Sequence, residues 1–216
     1  NMAAFNLKEE VIANVNGVTV SDSEIGFRLR APADVAILNA VIFDVDAGIR
    51  YEDGLALTHV HSSTFGRDVT RAFVEASSPT TVMHGINLLF LADALPAELT
   101  NAGGCTVADA SAFVSAATDD YHLTATSPAV DQGVDLVNAI DRDGVARPQG
   151  ASQDVGAYEY CADCTLPTPD AEPGGGDDDG GGGTPGGCCS TTNRAIDAWP
   201  ALVVVGLLVR RRQRRR

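Results

Sequence analysis

The sequence predicts an all-β solenoid. Three observations carry that prediction: apolar residues that alternate with polar ones, their recurrence at a near-constant interval, and Asn or His at matching points of each interval. Val18 and Val20 alternate with Thr19 and Ser21, and Ile25, Phe27 and Leu29 with Gly26, Arg28 and Arg30. Val41, Phe43 and Val45 alternate with Ile42, Asp44 and Asp46. A period of two belongs to strands. Val18/Val20 recurs 23 residues on as Val41/Phe43, and 22 further on as Ser63/Phe65. Ile25/Phe27 recurs as Ile49/Tyr51 and Val35/Ile37 as Leu55/Leu57, while Asn16, Asn39 and His61 precede the first strand of each unit. Short strands repeating every 20–24 residues stack turn upon turn, burying side chains that one turn alone leaves exposed. Asparagine suits the corners, because it tolerates tight backbone and its amide bonds to the rung above or below.

Residues 1–91 therefore read as coils. The register fails after Arg67, where Arg71 and Glu75 fall at apolar positions, so three coils are expected. Ala92–Leu99 and Val107–Ala116 read as short helices or a large loop over the last coil, and 92–160 as the coil end with a loop-rich cap. Residues 161–190 form a stalk rich in Gly and Asp. It has almost no apolar content to offset the entropy of ordering, and its flexible part has a root-mean-square span of roughly 25 Å.

Residues 191–216 carry an apolar run, Ala198 to Val209, and the block Arg210–Arg216. That run rises only about 18 Å as a helix against a hydrocarbon core of roughly 30 Å, a marginal span. The arginines belong on the cytoplasmic side. The start, Asn1-Met2-Ala3, lacks a secretion signal and already reads as strand, as expected of the downstream part of a longer protein.

Five short motifs follow one another in the cap: Asp119-Asp120-Tyr121-His122-Leu123, Ser127-Pro128-Ala129-Val130-Asp131-Gln132-Gly133, Asp141-Arg142-Asp143-Gly144, Arg147-Pro148-Gln149-Gly150 and Asp154-Val155-Gly156-Ala157-Tyr158-Glu159. Their prolines force extended backbone before them, and Asp-Gly and Gln-Gly set turns. Apolar residues between these turns can cover the open end of a coil. The ordered series resembles the choice-of-anchor Q domain. The resemblance implies that the coils before it form a right-handed parallel β-helix of the pectin-lyase-like kind, in a secreted bacterial surface protein.

The tail carries a second resemblance. Cys188-Cys189-Ser190 after a Gly-rich stalk, then a short apolar helix and an Arg cluster, resembles the MYXO-CTERM sorting signal. This implies removal of the helix and arginines by a membrane-embedded sorting protease, with Cys188 or Cys189 retained as a lipid anchor at the cell surface or outer membrane. The other reading is a permanent short membrane anchor.

The chain has a formal charge of −14, and six of its fifteen Lys/Arg sit in the terminal block, so the body is strongly acidic. Such a body repels phosphate backbones, which argues against nucleic acid as a partner and leaves the membrane and an extracellular polysaccharide. Cys161-Ala162-Asp163-Cys164 has the spacing of a redox motif, half a zinc site or a local disulfide. It has neither a βαβ context nor a second Cys pair, so a local disulfide in an oxidising compartment is expected.

Candidate chemistry is sparse. Asp44 and Asp46, with Asp53 nearby, form an outward acidic rung, and Arg28, Arg30 and Arg50 share that outer face. By resemblance to polysaccharide lyases of this fold, Asp44 and Asp46 are the calcium candidates and Arg50 the base. Asp141 and Asp143 alternate before a turn glycine, as at the opening of many calcium loops. His59 and His61 share a strand face at a spacing that two metal ligands can use, without a third ligand in view. Calcium aside, no cofactor is expected and no catalysis is assigned to this segment. The expected function is display or extracellular carbohydrate binding. The alternatives are a polysaccharide lyase or glycoside hydrolase of the same fold, and an adhesion or matrix scaffold.

Overall fold

The computed structural model describes residues 2–52, 55, 57–76 and 83–164. Asp53, the stalk beyond 164, Cys188, Cys189, the apolar run and the arginine block lie outside them. Three strands make each turn of the coil. The first turn comprises β1 (Ala3–Leu7), β2 (Ile12–Asn16) and β3 (Thr19–Val20), and the second β4 (Ser23–Leu29), β5 (Asp34–Leu38) and β6 (Val41–Ile42). The third has β7 (Val45–Tyr51), β8 (Leu57–His61) and β9 (Thr64–Phe65). The fourth has β10 (Val69–Glu75), β11 (Met83–Ile86) and β12 (Leu89–Leu91), and β13 (Leu99–Gly103) and β14 (Thr106–Ala108) begin a fifth. Like strands pair in parallel into three walls, ordered β1-β4-β7-β10, β13-β11-β8-β5-β2 and β14-β12-β9-β6-β3.

The architecture is thus an all-β parallel solenoid of about four turns, one more than the sequence repeats indicate. The fourth turn hides from pattern reading because Arg71 is aligned with the buried Ala47 and Ile25, and Glu75 with Tyr51 and Leu29. Ala92–Leu99 and Val107–Ala116, read as short helices or a loop, hold no α-helix. They supply parts of β13 and β14, a 3-10 turn at Ala110–Ala112 and the start of a strand at Phe113.

Inside, side chains stack by kind. Val20, Ile42, Phe65 and Phe90 are aligned through β3, β6, β9 and β12, and Phe65 and Phe90 stack with ring centroids 4.8 Å apart. Phe5, Phe27, Ile49 and Phe73 make a second column. Full burial of each such side chain stabilises by roughly 1.5–3 kcal/mol. The column departs from the sequence alignment at Phe43. The interior position belongs to Ile42, and Phe43 packs on the outside against Tyr121, with centroids 5.6 Å apart. Gly48 is required where two walls close together, since a Cβ there would lie 2.9 Å from the Phe65 ring.

Corners are made by residues in the left-handed region. Gly17, Asn39, Ser62, Asn87 and Gly104 (φ between 45° and 68°) turn β2, β5, β8, β11 and β13 into the next wall. Asp22, Asp44 and Asp68 (φ 51°, 51° and 54°) turn β3, β6 and β9 into the following one. Asn and Asp adopt this conformation more readily than other residues with a Cβ. The amide of Asn39 donates to Asn16 one turn away at 2.9 Å.

The cap begins with the antiparallel pair β15 (Phe113–Ser115) and β16 (Asp120–Leu123) and continues as turns to 160. It covers the flank of the coil rather than its end. Val134 N–H donates to the side-chain oxygen of Asn87, Asn138 donates to Asn39, and Arg142 donates to Thr19. A second apolar core, with Val41 and Leu89 from the wall and Phe113, Tyr121, Leu123, Val155 and Tyr158 from the cap, fills the space between. Among the described residues, no helix is long and apolar enough to cross a membrane.

Candidate functional site

The stacked corner aspartates build a groove. Asp22, Asp44 and Asp68 occupy one left-handed position in three successive turns. On the strands that follow, Glu24 stands beside Asp46, because Ser23 is aligned with Val45 and Ile25 with Ala47. These five acidic residues, with Ser23, line a depression of about 620 Å³. Asp44 sits between Asp22 and Asp68 in this stack. Burial first, then the Asp22 carboxyl and the charge of Asp68, raise the pKa of Asp44, while the Arg67 charge opposes the rise.

Arg67 borders this groove and is already engaged. Its guanidinium meets Asp119 through two nitrogens at 2.8 and 3.1 Å, and Asp68 at 2.6 Å. Those hydrogen bonds hold its pKa above the ordinary value. Its backbone N–H donates to the Tyr121 hydroxyl at 3.0 Å. Gly66 makes room for that ring, since a Cβ there would lie 2.2 Å from it.

Of the residues singled out from sequence, Asp44 and Asp46 come together in the groove and Arg50 does not. Arg50 follows Asp46 by four residues on the extended strand β7, about 13 Å along it. Asp22, Asp68 and Glu24 were missed. Their signal was present as Asp recurring at 22, 44 and 68, immediately before each β4-type strand.

Asp141 and Asp143 are occupied by the protein. Asp141 accepts N–H groups from Asp143, Val145 and Glu159, each at 2.8 Å. Asp143 faces His122 Nε2 at 2.6 Å, and Asp120 faces Nδ1 of the same ring at 2.6 Å. The structure adds a third imidazole to His59 and His61, whose centroids are 5.4 Å apart: His84 is aligned with His59 on the next strand. Burial, then the neighbouring His59, lowers the pKa of His61. Among the described residues, no three His, Cys, Asp or Glu side chains are arranged to hold a metal ion. Cys161 and Cys164 form a disulfide, and Cys105 is a buried free thiol.

The cap motifs converge on one buried network. Arg147 meets Glu159 at 2.9 Å and donates to the carbonyls of Asp154 and Gly156. Gln149 N–H donates to the other Glu159 oxygen, and Asp131 N–H donates to Asp154. These residues thus hold the cap together, and the acidic groove is a concave surface on the coil outside it. Compared with known proteins, the chain matches no protein-family model, no curated protein and no solved structure.

Proposed function

We propose that this chain is a cell-surface display protein that binds extracellular carbohydrate through the groove of Asp22, Asp44, Asp46, Asp68 and Glu24. The observation that carries the reading is the groove itself, concave and lined by carboxylates at successive turns of a rigid coil. Carboxylates accept hydrogen bonds from sugar hydroxyls and attract protonated amines, while they repel polyanions. The ligand is therefore a neutral or amine-bearing glycan rather than a polyuronate. The tail adds the location: Cys188 or Cys189 would keep the mature protein on the outer membrane after a sorting protease removes the segment behind it.

Calorimetric titration with neutral, amine-bearing and uronate oligosaccharides tests the ligand. Saturable binding of the first two, weakened at least fivefold by Asp44→Asn with Asp46→Asn, is the expected result. Preference for the uronate, or affinity unmoved by those substitutions, would sink it. Intact mass of the protein taken from membranes tests the location. A C-terminus at or near Cys189 is expected, whereas a retained Arg216 points to a permanent anchor.

The neighbouring carboxyls of Asp22 and Asp44 favour a second reading, glycoside hydrolysis, since burial and then Asp22 raise the pKa of Asp44, and a carboxyl so raised can serve as an acid. Most glycosidases, however, set their two carboxyls roughly 5–9.5 Å apart across the scissile bond, whereas this groove stacks its carboxyls at one corner position of successive turns. A lyase needs its base near the acids, and Arg50 lies along β7 from them. Reducing-end release, or unsaturated product absorbance, would establish turnover and replace the binding reading.

A further inference from the structure

Arg28 and Arg50 differ from the ion-paired arginines of the body. Arg30 is tied to Glu52, Arg67 to Asp68 and Asp119, and Arg147 to Glu159. Arg28 and Arg50 are aligned with each other on β4 and β7. Phe27, Leu29, Ile49 and Tyr51 beside them are buried in the core, so both guanidinium chains leave the opposite face of the wall. Adjacent strands lie about 4.8 Å apart, which puts two permanent positive charges side by side. No carboxylate stands in their row, which continues to Asn6 on one side and Val74 on the other.

The Nε atoms of both residues are buried, and among the described residues neither atom has a hydrogen-bond partner. A buried unpaired N–H is costly, and two neighbouring cations repel each other. An oxyanion seated between the two forks relieves the repulsion through their terminal nitrogens. A planar carboxylate is satisfied by one fork, whereas a tetrahedral group presents oxygens to two. A divalent phosphate also matches the charge of two guanidinium groups. The surrounding body is acidic and excludes anions in general, so one held here is held by these donors.

We infer that Arg28 and Arg50 form a binding site for a tetrahedral oxyanion, a sulfate or phosphate group. The site is separate from the acidic groove and does not depend on the glycan reading. The anion is either free in solution or an ester carried by a larger molecule.

The test uses the full chain, with inorganic sulfate and then inorganic phosphate titrated while the Nε–Hε resonances of the arginines are followed by NMR. Arg28 and Arg50 should shift together and saturably, and the two anions should compete. Arg28→Gln and Arg50→Gln should each weaken binding about tenfold or more, and Arg30→Gln should leave it within about twofold. Shifts that grow linearly, or that chloride reproduces at equal ionic strength, would overturn the inference. So would saturation that survives the double variant, with retention of the β-sheet circular dichroism showing that the variant is folded. Asp53→Asn guards against a partner within the chain: if that substitution alone moves the Arg50 signal to its anion-bound position or removes anion binding, the inference fails. Adding a sulfated oligosaccharide identifies the source. Tighter binding than inorganic sulfate indicates an ester, and equal affinity indicates the free ion.

Discussion

Arg147 and Glu159 form an ion pair at 2.9 Å in which neither side chain keeps any exposed surface. Burial works to neutralise both partners: it lowers the pKa of Arg147 and raises that of Glu159, and each charge survives beside the other. The pair joins two of the cap motifs, Arg147-Pro148-Gln149-Gly150 and the segment from Asp154 to Glu159. Four backbone groups add to it: the carbonyls of Asp154 and Gly156 for the guanidinium, and the N–H groups of Gln149 and Asp154 for the carboxylate.

Removing one partner strands the other in the interior. Arg147→Met or Glu159→Gln is expected to cost about 3–5 kcal/mol, as for other buried pairs broken on one side. Denaturant midpoints at neutral pH measure this. A loss below about 1 kcal/mol would show that water reaches the pair.

His122 makes the stability of the cap depend on pH. Its ring lies 4.1 Å from that of Tyr158, and both its nitrogens face carboxylates, so both must carry hydrogen. Burial alone would lower its pKa; the hydrogen bonds to Asp143 and then Asp120 outweigh burial, and the pKa rises above 6.5. A raised value means that protonation favours the folded state. The contribution is complete below about pH 6.5 and is lost as pH rises through the folded-state value. The side chain is 40 % exposed, and solvent screening holds the effect to roughly 0.5–1 kcal/mol. Melting temperatures between pH 5.5 and 9 should show this decline in the native protein and a flatter profile in His122→Gln. Equal slopes would remove the imidazolium from the account.

Asn87 combines two demands in one residue. It turns the corner at φ 54°, and its side chain pairs with both the N–H and the C=O of Val134, at 2.7 and 2.8 Å. Gly104 leaves room for this amide, as a Cβ there would lie 2.2 Å from Asn87 Oδ1. Asn87→Ala loses two buried hydrogen bonds and strains the left-handed backbone, for about 3 kcal/mol in total. Asn87→Gly restores the backbone freedom and should recover about 1 kcal/mol of that loss. Hydrogen exchange at the Val134 amide should accelerate in both variants. If it does not, the cap is held elsewhere.

The coil was legible in the sequence because its interior columns are apolar and their spacing is regular. The exact register was not. Val20 aligns with Ile42, not Phe43, since both sit in an apolar run and the outer residue also finds a core, beneath Tyr121. A wall buried on both faces erases the alternation that marks inside from outside. Val35/Ile37 likewise aligns with Thr58/Val60, not Leu55/Leu57, because the corner residues between strands vary in number. The fourth turn escaped notice because Arg71 and Glu75 occupy its first strand. Of the groove, Asp44 and Asp46 were readable as an acidic rung. Their partners Asp22 and Asp68 are separated from them by a full turn, a distance only the stacking closes. The neighbourhood of Arg28 and Arg50 was likewise hidden, since their row exists only once β4 lies against β7.

Solenoids usually come apart by fraying, because a terminal turn touches only its neighbour and can leave alone. The cap denies this chain that route. Its path from Val134 to Arg142 is fastened to Asn87, Asn39 and Thr19 in turn, so the outermost turn is clasped to the fourth through a strap outside the coil. Peeling β3 away means loosening the strap, and loosening the strap uncovers Val41 and Leu89 to water. Fraying of the first turn is therefore opposed by the strap as well as by the next turn.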